Sequence, residues 1–393
     1  MSVETGSPPS GAIPPAHPGE FRPLRLGPLA VWPPVVLAPM AGVTNYPFRR
    51  LCREFGAGLY VSEMITARGF LEGNEKTRLL ASGGPDEVPR SVQVYGHDAA
   101  EVETTVRALV EDDGVDHVDM NFGCPVPKVT RHGGGAAIPA RPRLMAAIVR
   151  AAVRGAGRVP VTVKVRKGLD GRLLTFRDAG AVAEGEGAAA IGLHARTAVQ
   201  LYAGRADWDA IAELKSRVRI PVLGNGDVWE APDALRMMRR TGCDAVIVGR
   251  GCLGRPWLFA DLAAVFDGRT PAPAPRLGVV LDVVRRHAAM LVEFFGPVNG
   301  IRHMRKWGTW YVAGFPGARA ARAALTRIET PADLAAILDA FDPSETMRVE
   351  PRASRESRVQ QRVTLPEGWL DASDDAARPP MPAAAWDAAL SGG

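Results

Sequence analysis

The chain has 393 residues, with 48 Lys and Arg against 43 Asp and Glu, and a sequence pI near 9.2. At 46% hydrophobic and 23% charged its composition excludes wholesale disorder and fibrous repeats. Cys52, Cys124, Cys243 and Cys252 form no Cys-x-x-Cys pair, so neither a zinc knuckle nor a disulfide framework is indicated and a reducing, cytoplasmic setting fits best. No apolar run approaches the ~18 residues of a membrane helix, and the N-terminus lacks a basic-then-apolar signal pattern.

Residues 1–25 are expected to form a disordered leader, because Pro8-Pro9 and Pro14-Pro15 punctuate a stretch too poor in apolar residues to fold alone. A rhythm then begins. Short β-branched runs start at Val35, Leu59, Arg90, His117, Pro160, Ala189, Ile220 and Ala245, and each ends in polar or Gly-rich residues. Helix-like segments lie between them, including 99–112, 144–154, 176–185, 208–217 and 231–241. A repeat of about 30 residues is the length of one βα unit. Eight units without a long crossover predict an α/β fold, a (β/α)8 TIM barrel over 26–268, in preference to a doubly wound open sheet. A smaller all-helical domain is expected over 269–342, with breaks at Gly296-Pro297 and Gly314–Gly317. Across 281–330 eight Lys and Arg face three Asp and Glu, which points to a polyanionic partner. Residues 343–393 are expected to be a largely disordered tail, with one strand-like patch, Arg362–Leu365, able to dock on the body.

In such a barrel the chemistry belongs at the C-terminal strand ends. Those ends deliver Met40, Glu63, Gln93, Asn121, Lys164 with Arg166, His194 with Arg196, Asn225 with Asp227, and Gly249 with Arg250. Gly224-Asn225-Gly226 and Gly249-Arg250-Gly251 close the last two strands, where backbone N–H groups can approach a phosphate; there is no GxxxxGK[ST] motif. In Ala38–Thr44, Met40 either supports a flat heterocycle or plugs the core. Gln93 can donate and accept together, as imide recognition requires. Lys164 would bring a positive charge to an electron-rich ring or a phosphate, and His194 is either a phosphate contact or a structural histidine. Cys124 ends the fourth strand, ahead of a long connection containing Lys128, Arg131, His132 and Gly133-Gly134-Gly135, which reads as a mobile lid. A thiol of ordinary pKa ~8.5 is protonated at neutral pH and can act as a general acid.

In this order and spacing APMAGVT, VQVYG, DMNFGCPVPKV, VTVKVRKG, LHART, GNGD and VGRG resemble the tRNA-dihydrouridine synthases, with most likeness to the bacterial DusB-like branch. The resemblance spans about 25–330, and Gly300–Gly317 resembles that family's helical tRNA-binding segment. It implies reduction of the C5–C6 double bond of D-loop uridines in tRNA, with bound FMN and with NADPH as reductant. It also implies a site. Pro39, Met40 and Ala41 would line the flavin, and Gln93 and Lys164 would bind its ring or ribityl chain. His194, Asn225, Gly226, Asp227, Gly249 and Arg250 would hold its phosphate end, and Cys124 would be the proton donor. Asn121 would meet the uracil, while Lys128, Arg166, Arg302, Arg305 and Lys306 would face the RNA. Trp307 stands where the family has a histidine; it could still stack but carries no charge. A monomer without metal is expected. The rival readings are a flavin barrel reducing a free small molecule, and a non-enzymatic RNA-binding barrel.

Overall fold

Two short antiparallel strands, β1 (Leu24–Leu26) and β2 (Leu29–Val31), precede eight parallel ones. These are β3 (Val35–Leu37), β4 (Leu59–Thr66), β5 (Ser91–Tyr95), β6 (His117–Phe122), β7 (Val161–Gly168), β8 (Ala190–Thr197), β9 (Val222–Asn225) and β10 (Ala245–Val248). The structure is a computed structural model and describes residues 13–348, 357–371 and 374. Each of the eight strands pairs with the next, and β10 returns to β3, so the sheet is a closed barrel and not an open one. Val35–Leu37, His117–Phe122 and Ala190–Thr197 are buried throughout, as strands covered on both faces must be. The register decides which residues are cross-strand neighbours: Gln93 lies opposite Asp119, Asp119 opposite Thr162, Asn121 opposite Lys164, and His194 opposite Asn225. Among the described residues no helix is long and apolar enough to cross a membrane.

Residues 1–12 of the expected leader lie outside the described residues. From Ile13 onward the chain is docked, in contrast to the expectation. The Ala16 N–H donates to the Val265 carbonyl (2.8 Å), Phe21 meets Phe266 edge-on, and Glu20 pairs with Arg239 (2.6 Å). Leu24, Leu26 and Val31 then close the N-terminal end of the barrel against Val36, Leu59 and Ile247. The prolines hid these apolar residues; proline forbids regular ladders but not an extended, docked path.

The helical region begins with Leu277–Tyr311, which bends at Gly296 (φ 80°) just before Pro297, and continues in Ala318–Leu325 and Pro331–Asp339. Beyond the bend Gly300 lies so close to the preceding turn that a Cβ would sit 2.4 Å from the Leu291 carbonyl oxygen. Trp307 is fully buried, its ring 4.4 Å from Phe48 and 4.8 Å from His287. It therefore cannot stack on RNA; it joins the helical region to the first barrel helix, Tyr46–Glu54. That helix is N-capped by Asn45, whose side chain accepts the Phe48 N–H (3.2 Å). The tail is docked as well over 357–371, including the Arg362–Leu365 patch, although it adds no strand to the barrel.

One buried ion pair ties the first barrel helix to the loop that leads into β5. Arg49 meets Glu87 through two hydrogen bonds (2.5 and 2.7 Å) and donates to the Thr44 carbonyl (2.8 Å); both side chains are almost fully enclosed. Glu87→Ala leaves an uncompensated guanidinium in the interior and is expected to cost about 3–5 kcal/mol in urea denaturation. A loss below about 1 kcal/mol would place the pair in the range of solvent-screened surface pairs.

Candidate active site

The C-terminal strand ends open into a cavity of about 410 Å³, within the ~300–1,000 Å³ of small-molecule and cofactor sites. Pro39, Met40, Ala41, Gln93, Lys164, His194, Asn225, Gly226, Asp227, Gly249 and Arg250 all line it, together with Asn121, Cys124 and Arg166.

One side of the wall is cationic. Lys164 Nζ donates to Asn225 Oδ1 (3.0 Å), and the Asn225 amide is fixed in turn by the Ile247 carbonyl (2.8 Å). Arg196 spends Nε on the Ala203 carbonyl (3.1 Å) and Nη2 on the Gly204 carbonyl (2.6 Å) and Asp227 (2.7 Å). Its Nη1 is buried without a partner among the described residues, as is the indole N–H of Trp229. The Arg250 guanidinium lies between the rings of Tyr202 (4.8 Å) and Trp229 (5.0 Å). Gly226, at φ 128°, is required here, since a Cβ would lie 2.6 Å from that of Ala206. Burial, then the charges of Arg166, Lys164, Arg196 and Arg250, hold the His194 imidazole far below its ordinary pKa, so it is neutral. Four cations line the cavity against the single carboxylate of Asp227, and two enclosed N–H groups await acceptors. Buried donors without partners are costly, so this wall is built for an anion.

Opposite it, Cys124 is held by a directed chain of hydrogen bonds. The N–H groups of Cys124 (2.9 Å) and Gly123 (3.1 Å) donate to Asn121 Oδ1. Asn121 Nδ2 donates to Gln93 Oε1 (2.8 Å), and Gln93 Nε2 donates to Asp119 (2.6 Å). Thr162 gives its hydroxyl proton to the other Asp119 oxygen (2.5 Å). His117, pushed down to about 4 by burial, is neutral and bridges Ser91 (2.7 Å) and Thr162 (3.0 Å). Since Thr162 donates to Asp119, the His117 Nε2–H must donate to Thr162, and Ser91 must donate to Nδ1. A carboxylate only accepts. Asp119 therefore dictates that Gln93 turns its NH2 inward, that Gln93 offers its oxygen to Asn121, and that Asn121 offers its own oxygen to the cysteine turn. Burial pushes the Asp119 carboxyl up, against the hydrogen bonds from Thr162 and Gln93 and the charge of Lys164, which favour the ionised form.

Arg166, expected to face RNA, is buried: its guanidinium holds the carbonyls of Gly123 (2.9 Å), Thr197 (3.0 Å) and Leu201 (2.8 Å) and so braces the cysteine turn from the other side. Burial pushes the Cys124 thiol up, outweighing the Val126 backbone hydrogen bond and the Arg166 charge, so it keeps its proton at neutral pH. The expected mobile lid is ordered as a short helix, Pro127–Thr130, and a 3-10 turn, Gly135–Ala140. Gly135 (φ 54°) abuts the cysteine; a Cβ would lie 2.5 Å from the Cys124 carbonyl oxygen.

The remaining expected RNA contacts lie outside the cavity. Lys128 lines a small adjoining pocket with Tyr95 and His132, and Arg302 is exposed. Arg305 donates to the Ile328 carbonyl (2.9 Å), and Lys306 reaches down to the Gly42 carbonyl beside the cavity. Sequence reasoning did not assign Asp119, Thr162, Tyr202 or Trp229 to the site. Asp119 carried a signal: side chains two apart on a strand share a face, so an inward Asn121 implies an inward carboxylate at 119.

The family model "Dihydrouridine synthase (Dus)" matches residues 36–345. The chain belongs to the dihydrouridine synthase family. A "Probable tRNA-dihydrouridine synthase" of Mycobacterium tuberculosis (strain H37Rv) is 50% identical over 367 residues, covering 90% of this chain and 93% of that protein. Its counterpart in Mycobacterium leprae (strain TN) is 49% identical, covering 88% and 97%. A "tRNA-dihydrouridine synthase B" of Pseudomonas syringae pv. tomato is 41% identical, covering 78% and 90%. This dihydrouridine synthase family member is thus an oxidoreductase, and its Asp119 relay is open to test. Asp119→Asn lets the Gln93 amide turn and loosens Asn121 from the cysteine turn. Alkylation of Cys124 by iodoacetamide, read by mass spectrometry, is expected to quicken about tenfold, the equivalent of one charge-assisted hydrogen bond. The buried Cys52, Cys243 and Cys252 serve as internal controls. A wild-type rate would rule out the relay.

Proposed function

We propose that the protein binds FMN in this cavity and uses NADPH to reduce the C5–C6 double bond of D-loop uridines in tRNA, with Cys124 giving the proton. The observation that carries this reading is a thiol kept protonated by burial, fixed on a braced turn across the cavity from an anion-seeking wall. The residues present fit the cofactor. Arg196, Arg250 and the Trp229 indole N–H offer donors for a terminal phosphate, with His194, Asn225, Gly226, Asp227 and Gly249 shaping its seat. Pro39, Met40 and Ala41 give an apolar wall for the ring, and Lys164 and Gln93 give polar contacts to ring or ribityl chain. Bound there, FMN would supply the hydride chemistry for C6 of uracil.

The chain's own residues do the rest. Cys124 Sγ–H protonates C5 as a general acid, and its raised pKa keeps that proton in place at neutral pH. Asn121 orients the cysteine turn and meets the uracil; Arg166 acts by bracing that turn and not by touching RNA. The barrel, over 26–268, holds the cofactor chemistry, and the helical region over 269–342 meets tRNA. Arg302 on that region and Lys128 beside the mouth face the phosphate backbone. Arg305 and Lys306 hold the helical region to itself and to the rim. A uridine must swing out of the folded tRNA to reach this depth, at a cost of a few kcal/mol that contacts to the basic surface offset.

Cys124→Ala is expected to purify yellow and to be reoxidised by air after NADPH reduction, yet to form dihydrouridine at least about 100-fold more slowly, the usual loss on removing a general acid. The measurement is mass spectrometry of tRNA nucleosides after incubation with the variant. Undiminished dihydrouridine would discard the proton-donor assignment, and a colourless wild-type protein would discard the flavin.

A further inference from the structure

The C-terminal segment 357–371 crosses the rim on the side of Cys124, and its contacts fall on two loops. On the loop after β8, Ser357 bridges to Ala203, and the Gln361 N–H donates to the Val199 carbonyl (3.1 Å). On the loop after β6, Gln361 Nε2 donates to the carbonyl of Pro125, the residue next to the catalytic thiol (2.6 Å). One residue thus ties together the loop that carries Tyr202 and the loop that carries Cys124. Farther along, Val363 and Leu365 pack over Ala136, Leu169 and Ala198.

The segment is anchored by Trp369, which is only 3% exposed. Its indole N–H donates to the Ala137 carbonyl (3.0 Å), and the Arg141 guanidinium lies 5.0 Å from its ring centre. The ring rests on Gly133 at φ 75°, where a Cβ would lie 2.4 Å from it. The glycine run that composition marks as mobile is therefore the seat of an aromatic ring, two residues from Gly135, which itself abuts Cys124. From indole to thiol the contacts are continuous: Trp369, Gly133 to Ala137, Cys124.

We propose that Gln361 and Trp369 are positioning residues for Cys124, and that the C-terminal segment is a strap holding the thiol-bearing loop in its proton-donating arrangement. The proposal rests on the reading of Cys124 as proton donor. Neither side chain lines the cavity, so both act through the loop. The strap meets the cationic wall only through backbone contacts at Val199 and Ala203, whereas the Gln361 and Trp369 side chains grip the cysteine loop, so its effect is expected on delivery of the proton to uracil more than on reduction of the bound flavin by NADPH.

The test compares full-length wild type with Trp369→Ala, Gln361→Ala and Leu370→Ala, the last a neighbouring exposed position on the same segment. Limited trypsin digestion after Lys128 and Arg131 reports opening of the loop without reference to activity. Cleavage there is expected to quicken about tenfold in Trp369→Ala and several-fold in Gln361→Ala, and to stay at the wild-type rate in Leu370→Ala. Dihydrouridine formation should fall about tenfold in kcat with KM for tRNA held, while flavin reduction by NADPH stays within about twofold. Trp369→Phe, which keeps one aromatic ring but loses the N–H and the outer part of the indole that rests on Gly133, should recover part of both. Wild-type cleavage and kcat in Trp369→Ala would overturn the proposal, and so would a lowered melting temperature with neither changed. If Cys124→Ala is fully active the proton-donor reading fails, while the digestion still reports whether the strap holds the loop.

Discussion

A carboxylate inside a barrel can accept hydrogen bonds and can donate none, and the geometry of this site follows from that asymmetry at Asp119. Gln93 and Thr162 converge on it, and Asn121 and the cysteine turn come next in sequence. Amide side chains are nearly symmetric in shape, so packing alone would leave Gln93 and Asn121 free to present oxygen or nitrogen. The charge removes that freedom. Each link is a hydrogen bond of ordinary strength, about 1 kcal/mol net, but the first is charge-assisted and sets the sense of all the others. The cost is a buried anion, which the three neighbouring favourable groups (Thr162, Gln93 and Lys164) reduce without removing.

The cavity is divided in its electrostatics, and under the proposed function the division keeps two incompatible needs apart. A phosphate needs exposed positive charge; a proton-donating thiol must not meet too much of it, because a nearby cation favours the thiolate. Arg166 stands closest to this conflict. Its guanidinium is committed to three carbonyl groups, and burial has lowered it to about 10. Around Cys124 desolvation outweighs the Arg166 charge, so the thiol stays neutral. Arg196, Arg250 and Lys164 do their work on the wall formed by β7 to β10 and the loops after these strands, in contact with Asp227 and Asn225.

Much of the fold was legible because parallel barrel strands are buried on both faces and so appear as short apolar runs at an even spacing. Eight of them could be located to within a residue or two of their first positions. The candidate cofactor wall was legible for a related reason: strand ends are marked by a switch from apolar to polar or glycine, and in a barrel all such ends meet. Contacts made far along the chain left no such mark. Trp307 reads as an exposed aromatic in a basic helix until the fold sets Phe48 and His287 on its two sides. Arg166 reads as a rim cation until the carbonyls of Gly123, Thr197 and Leu201 surround it. Composition also misled at both ends, since a few apolar anchors among prolines, alanines and charges are enough to dock a segment against a large body. Ala16 and Phe21 do so under the barrel, and Trp369 does so above it.

The rim is consequently held from outside the barrel on two sides. Lys306 of the helical region reaches the Gly42 carbonyl, and the Gly42 N–H donates to Glu63, a carboxyl raised by burial. This fixes the Ala41-Gly42 turn on one side of the cavity, while Gln361 and Trp369 hold the Pro125 and Gly133–Ala137 backbone on the other. Loops on a barrel are ordinarily its least stable parts, opening locally at a small fraction of the global unfolding free energy. Under the proposed function Cys124 needs placing to within about 0.5 Å of its productive position, which a loop supplies less precisely than a helix or strand. External contacts on both sides supply that support while the mouth between them stays open to a large substrate. The extra segments thus support the rim of the candidate site even though none of their side chains lines the cavity.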